Sequence, residues 1–189
     1  RIGVAVARRL HGFGCTILYT GRWPNEAHAA EAQASFRTLD ALLAESDIVT
    51  LHCPLTAETR HLIDAAALYK MKRTALLINT SRGPVVDQDA LYAALVDGTI
   101  AGAGLDVTTP EPLPTDHPLL TLPNCVVLPH IGSATVATRQ RMEPVDDEAG
   151  MGVERGGRVG IDVLAQPHPV VARRRDPLGQ RRLARDLML

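Results

Sequence analysis

The segment Thr74–Asn79, TALLIN, constrains the fold of this chain more than any other, because its core is apolar without alternation. A strand with one face in water alternates apolar and polar side chains, whereas an unbroken apolar strand is covered on both faces, as in parallel sheets flanked by helices. Asp47–Cys53 (DIVTLHC) has the same character, and Ile100–Val107 repeats it with Gly102 and Gly104 interposed. Helix-length segments separate these runs. Ile2–Phe13 sets Ile2, Val6 and Leu10 on one face; Asn25–Ala34 is rich in Ala and Glu; Leu39–Ala44, Ala65–Met71 and Asp87–Val96 follow. The Asp64 carboxylate can accept the free N–H groups that open one helix, and Gly98 stops another. Short extended pieces at Cys15–Thr20, Ser35–Arg37 and Cys125–Leu128 and a helical stretch Gly132–Met142 complete the pattern. It predicts an α/β fold whose parallel sheet is covered on both sides.

At 189 residues the chain has material for one ordinary domain with a ragged extension. The regular pattern fills residues 1–142. Residues 143–189 differ: they are Arg-rich, lack Lys and aromatic residues, and scatter Pro and Gly through short apolar runs, which predicts a divergent, poorly ordered tail. A net charge of −1 and an aromatic content of 3% argue against nucleic-acid binding. No apolar run is long enough for a membrane span. Cys15, Cys53 and Cys125 are far apart and odd in number, so they read as buried reduced thiols rather than a disulfide framework or metal site. A cytoplasmic protein is the resulting expectation.

In doubly wound parallel sheets, ligands lie beyond the carboxyl ends of the strands. The polar residues gather there: Arg22, Pro54, Thr80–Arg82, Asp106–Glu111 and His130–Ser133. Arg82 is placed to hold a 2-oxo acid through its carboxylate and carbonyl oxygens, which brings the carbonyl carbon toward a hydride donor and polarises it. Glu111, between Pro110 and Pro112, sits on a stiffened loop. A carboxylate there can orient the imidazole of His130 and favour its charged form, which then donates a proton to the carbonyl oxygen. Arg1-Ile2-Gly3 resembles the end of a GxGxxG turn, with only its last glycine present. An NAD site carries an acid at the end of the next strand; here that position reads Thr20-Gly21-Arg22, and a guanidinium suits the 2′-phosphate of NADP(H), with NAD(H) a lesser option. His52 and Cys53 read as packing at the crevice floor. His11, His28, His61, His117 and His168 lack metal-ligand spacing.

The blocks RIG, NTSRGPVVDQDALYAALVDGTIAGAGLDVTTPEPLP and LPHIGSAT resemble the D-isomer-specific 2-hydroxyacid dehydrogenases over residues 1–142. Within that family, LYTGR, LINTSRG and HPLLTLPNCVVLPHIGSAT are most similar to members that reduce glyoxylate and hydroxypyruvate. The resemblance implies a Rossmann-like fold and NADPH-dependent reduction to glycolate or D-glycerate. It implies that Arg82 binds substrate, Glu111 supports the acid, His130 donates the proton and Asp106 lies beside nicotinamide and substrate. Arg1, Ile2, Gly3, Arg22, Trp23, Pro24, Asn25, Pro54, Thr80 and Gly132 would touch the cofactor; Ile131, Gly132 and Ser133 would line the substrate pocket. Members acting on formate carry Gln in place of the Glu, so Glu111 speaks against that chemistry. Asn25 stands where the reductase pattern has a second Arg, which weakens one phosphate contact.

The family pattern also places a first nucleotide-binding strand and two glycines ahead of residue 1. On that pattern the sheet is truncated before its first strand, the second and fourth family strands lack their shared neighbour, and the fragment by itself is expected to be inactive. The abrupt change after Met142 is of the kind a frameshift produces. A homodimer is what the resemblance implies for the parent protein. Two other readings remain open: a corepressor-like protein that senses dinucleotide on the same fold, and a nonfunctional truncated product.

Overall fold

The computed structural model describes residues 2–141 and 163–164. Six helices and seven strands run in the order α1 (Ile2–His11), β1 (Ile17–Tyr19), α2 (Glu26–Ala32), β2 (Ala34–Phe36), α3 (Leu39–Glu45), β3 (Ile48–Leu51), α4 (Ala65–Lys70), β4 (Leu76–Asn79), α5 (Gln88–Val96), β5 (Gly102–Leu105), β6 (Cys125–Val127), α6 (Val136–Arg141) and β7 (Val163–Leu164) among the described residues. Strands β3 to β6 form one parallel sheet in the order β6-β5-β4-β3, and β1 pairs in parallel with β2 in a second. This is the Rossmann-like α/β arrangement expected from the alternation of apolar runs and helices. Among the described residues no helix is long and apolar enough to cross a membrane.

Local chemistry fixes most element boundaries. Asn25, Thr38, Asp64 and Asp87 cap α2, α3, α4 and α5, each accepting a backbone N–H of the first turn. Helix α1 stops at His11, short of the expected Phe13, where the chain turns through Gly12–Gly14. Helix α6 begins four residues after Gly132, just beyond Thr135, whose hydroxyl accepts from Thr138 N. Met142 lies outside the described residues.

Leu42, Leu43, Val49, Leu51, Leu77, Leu91 and Ile100 have no exposed surface and pack the β3–β6 sheet against its helices. A smaller cluster of Ala7, Cys15, Ile17 and Ala32 joins α1 and α2 to β1. Cys53 belongs to the large core, as expected, and Cys125 is half-buried rather than fully so. His52 is half-buried, with Nε2 3.2 Å from the Thr50 hydroxyl.

The edge of β3 that faces β1 was expected to lack a neighbour, and here the structure differs. Val163–Leu164 pairs antiparallel with it, Leu164 opposite Thr50 and Val163 opposite Leu51, and also lies beside β1 and α1. Backbone donors and acceptors on a strand edge pair with an extended segment of any polarity, so the ladder is completed without a parallel crossover. The remainder of the expected tail, including His168, lies outside the described residues.

Candidate active site

Because β4, β5 and β6 are adjacent and parallel, the residues that follow them emerge on one edge of the sheet. Arg82 follows β4, Asp106 and Glu111 follow β5, and His130 follows β6. Three stretches distant in sequence are therefore neighbours in space.

Each turn is held by its own chemistry. The buried side chain of Asn79, at the end of β4, accepts from Ser81 N at 3.0 Å and Ser81 Oγ at 2.9 Å and donates to Arg82 O at 2.9 Å. That side chain shapes the Thr80–Arg82 turn, a role the sequence reading missed because it treated Asn79 only as a strand terminus. Arg82 is exposed and Nη1 donates to Ser81 O at 2.7 Å. Thr80 is exposed beside it.

Asp106 is 5% exposed, and its two carboxylate oxygens accept from Ile131 N and Gly132 N, both at 2.8 Å. A Cβ on Gly132 would come within 2.8 Å of Asp106 Oδ2, so the absence of a side chain permits the contact. The clasp ties the end of β5 to the segment after β6 and thereby places His130. His130 has a φ of +54°, a left-handed conformation that costs a non-glycine residue energy and persists where neighbours over-determine it. Ile131 is exposed and Ser133 half-buried next to it.

Glu111 Oε1 lies 2.5 Å from His130 Nδ1, with both side chains partly open to solvent. The expected carboxylate–imidazole pair is thus formed. With Nδ1 directed at the carboxylate, Nε2 is the ring nitrogen not engaged by Glu111.

Toward β1 the picture is more open. Arg22 and Trp23 are exposed at the end of β1, and Pro24 follows them. Asn25 spends its side chain as the cap of α2, accepting from His28 N at 3.1 Å. Pro54 follows β3, and its carbonyl accepts from the Thr59 hydroxyl at 2.7 Å, which also accepts from Thr56 N. The same loop brings Glu58 to 3.7 Å from Arg22. Glu58 was absent from the sequence reading; the Thr56-x-Glu58 spacing marks a hydrogen bond within the loop but nothing that points to Arg22. The Glu58 carboxyl lies below its ordinary range, chiefly through the Thr56 hydroxyl, then its own backbone, then Arg22. Arg1 lies outside the described residues; Ile2 and Gly3 open α1, whose first-turn N–H groups are suited to a pyrophosphate.

With β7 lying between β3 and β1, the strand order runs outward in opposite directions on its two sides, and α/β sheets take nucleotides at such a reversal. The exposed Arg22 guanidinium, 3.7 Å from Glu58, and the first-turn N–H groups of α1 have the chemistry that phosphates of a dinucleotide require, and the Glu111–His130 pair follows β5 and β6. The class so defined is the dinucleotide-binding domain of an oxidoreductase.

Comparison with known proteins makes the assignment particular. Residues 1–132 match the NAD-binding domain of the D-isomer-specific 2-hydroxyacid dehydrogenases, and the chain belongs to that family. Glyoxylate reductase/hydroxypyruvate reductase of Mus musculus is 59% identical over 143 residues, covering 75% of this chain and 44% of that protein. Glyoxylate reductase of Korarchaeum cryptofilum is 53% identical over 156 residues, 82% of this chain and 47% of the relative. The solved TT0316 protein from Thermus thermophilus superposes with a TM-score of 0.70 at 51% identity, covering 75% of this chain and 43% of that one. The chain thus spans under half the length of the relatives it matches.

Proposed function

We propose that this chain supplies the cofactor-binding half of a reductase that converts glyoxylate and hydroxypyruvate to glycolate and D-glycerate, with NADPH preferred over NADH. The observation that carries the reading is the 2.5 Å approach of Glu111 to His130 on the edge that also presents Arg82. The names of the relatives at 59% and 53% identity support the choice of substrate, and Arg22 at the end of β1 supports the choice of cofactor.

In this mechanism the bound nicotinamide supplies a hydride. Arg82 holds the substrate carboxylate and turns the carbonyl carbon toward it. Glu111 fixes the imidazole of His130 through Nδ1. Nε2 delivers a proton to the carbonyl oxygen as negative charge builds there, and His130 is reprotonated from solvent. Asp106 keeps the segment 130–132 in register with β5, and Thr80, Pro54, Ile2 and Gly3 contact the cofactor. The same reading takes the functional unit as a homodimer, as the family resemblance implies.

Steady-state reduction of glyoxylate by full-length protein tests the reading. Turnover is expected with NADPH at a higher kcat/KM than with NADH, and His130→Ala is expected to lower kcat by about 10²–10⁴-fold with cofactor binding retained. Turnover undiminished in His130→Ala would remove the proton-donor role, and equal use of NADH would remove the argument from Arg22.

A further inference from the structure

The loop that carries Glu111 has no strand or helix of its own, yet Glu111 must hold its carboxylate in one direction to orient His130. Within the loop the Thr108 hydroxyl donates to Pro110 O at 2.9 Å, and from outside it one side chain grips the backbone at Thr109. Gln88 Oε1 accepts from Thr109 N at 2.9 Å, and Gln88 Nε2 donates to Thr109 O at 2.6 Å. Both backbone groups of Thr109, two residues before Glu111, are thus satisfied by one carboxamide. Gln88 is the first residue of α5, which Asp87 caps, so the clamp is mounted on a rigid element. Its Nε2 also lies 3.2 Å from His117 Nε2 at the far end of the same loop. Beneath it, Gly83 lies so close to Thr108 that a Cβ would fall 1.9 Å from Thr108 O, which presses the loop against the residue next to Arg82.

We propose that Gln88 is a positioning residue for the reduction: its two-pronged grip on Thr109 sets the direction of Glu111 and, through it, of the His130 imidazole. The proposal rests on the reading of His130 as proton donor. A carboxamide carries a donor and an acceptor side by side, which is what the N–H and C=O of one residue require. A carboxylate at this place keeps the bond from Thr109 N and loses the one to Thr109 O. A thioether of similar length keeps neither. The order of function should therefore be Gln, then Glu, then Met.

The test measures kcat, KM for glyoxylate, NADPH affinity by nicotinamide fluorescence and Tm of the full-length enzyme for Gln88→Met, Gln88→Glu, Glu111→Gln, His130→Ala and the double variant Gln88→Met/Glu111→Gln. A displacement on the ångström scale at a reacting group costs up to about 10²-fold, so Gln88→Met is expected to lower kcat about ten-fold, with Gln88→Glu between it and the parent. NADPH affinity and Tm should stay at the parent values. Once Glu111 is removed there is no carboxylate left to direct, so Gln88→Met should add under about two-fold in that background. The proposal is overturned if Gln88→Met keeps kcat within about two-fold while His130→Ala and Glu111→Gln lose far more. It is equally overturned if the loss is as large without Glu111 as with it, or is matched by falls in Tm and NADPH affinity. Full turnover in His130→Ala would defeat the proton-donor reading itself, a result the other variants do not produce.

Discussion

The two halves of the sheet system rest on different cores. Under β3–β6 lie large aliphatic side chains with no exposed surface, among them Leu42, Leu43, Val49, Leu51, Leu77, Leu91 and Ile100. Under β1–β2 lie Ala7, Cys15, Ile17 and Ala32, with Val6 and Leu10 only partly covered. A fully buried large aliphatic contributes about 1.5–3 kcal/mol and an alanine much less, so the first half is the stiffer. Arg82, Glu111 and His130 all project from that half, whereas Arg22 projects from the other. On the proposed function this is a division of labour: the groups assigned to the reacting carbon stand on the dense core, and the group proposed to choose between cofactors stands where substitutions cost little stability.

The strongest way to break this contrast is to cut both cores. Cut back alike, Leu77→Ala is expected to lose toward the upper end of about 2–5 kcal/mol and Ile17→Ala toward the lower end, by denaturant titration. Equal losses for the two would deny that the halves differ. On the cofactor side, Arg22→Ala should raise KM for NADPH about ten-fold and leave KM for NADH unchanged, as loss of a charge-assisted phosphate contact requires. No change in the ratio would move the selectivity elsewhere.

A smaller effect sharpens the same point. Glu58 faces Arg22 and draws off part of its charge, so Glu58→Gln should lower KM for NADPH about two- to three-fold, an effect that disappears once Arg22 is alanine. Because the Glu58 carboxyl is held below its ordinary range, the ion pair persists at neutral and mildly acidic pH and is lost only as pH falls through that lowered value. Any Glu58 contribution to the pH dependence of NADPH affinity should therefore come at lower pH than that of an unperturbed carboxyl. The smallest effect concerns β6. Burial pushes the Cys125 thiol up, so it stays protonated above the usual thiol range. Any stability it contributes is intact below the unfolded thiol value and declines as pH rises through the folded one. Alkylation of Cys125 at pH 8 should be slower in the native protein than in denaturant, and equal rates would show that its environment is open.

Much of this was legible in the sequence, for a physical reason in each case. The runs at β3 and β5 are apolar because both faces are largely covered. In β4, by contrast, Leu77 is buried but Leu76 is exposed and Ile78 only partly covered, so TALLIN is less enclosed than its unbroken apolar character predicts. Asp64 and Asp87 cap helices through bonds three residues long. Strand-end logic found Arg82, Glu111 and His130, since parallel strands deliver their carboxyl ends to one edge. What escaped depends on partners far away in the chain. The Asp106 carboxylate reaches the Ile131 and Gly132 amides from the end of β5, and β7 pairs with an edge supplied by β3. Asn79, Glu58 and Gln88 serve backbone or charges that no local pattern reveals. The Asn79 side chain bonds Ser81 and Arg82 of its own turn, while its backbone carbonyl accepts from Asp106 N at 2.9 Å.

The central claim is that a guanidinium, a carboxylate and an imidazole from three strand ends surround one reacting carbon. A crystal structure of the full-length enzyme with NADP⁺ and oxamate, an unreactive mimic of a 2-oxo acid, tests it most directly. The account expects Arg82 on the oxamate carboxylate and His130 Nε2 at about 2.6–3.2 Å from its carbonyl oxygen, with Glu111 still on Nδ1. Oxamate bound away from this edge, or His130 turned from the carbonyl, would contradict it.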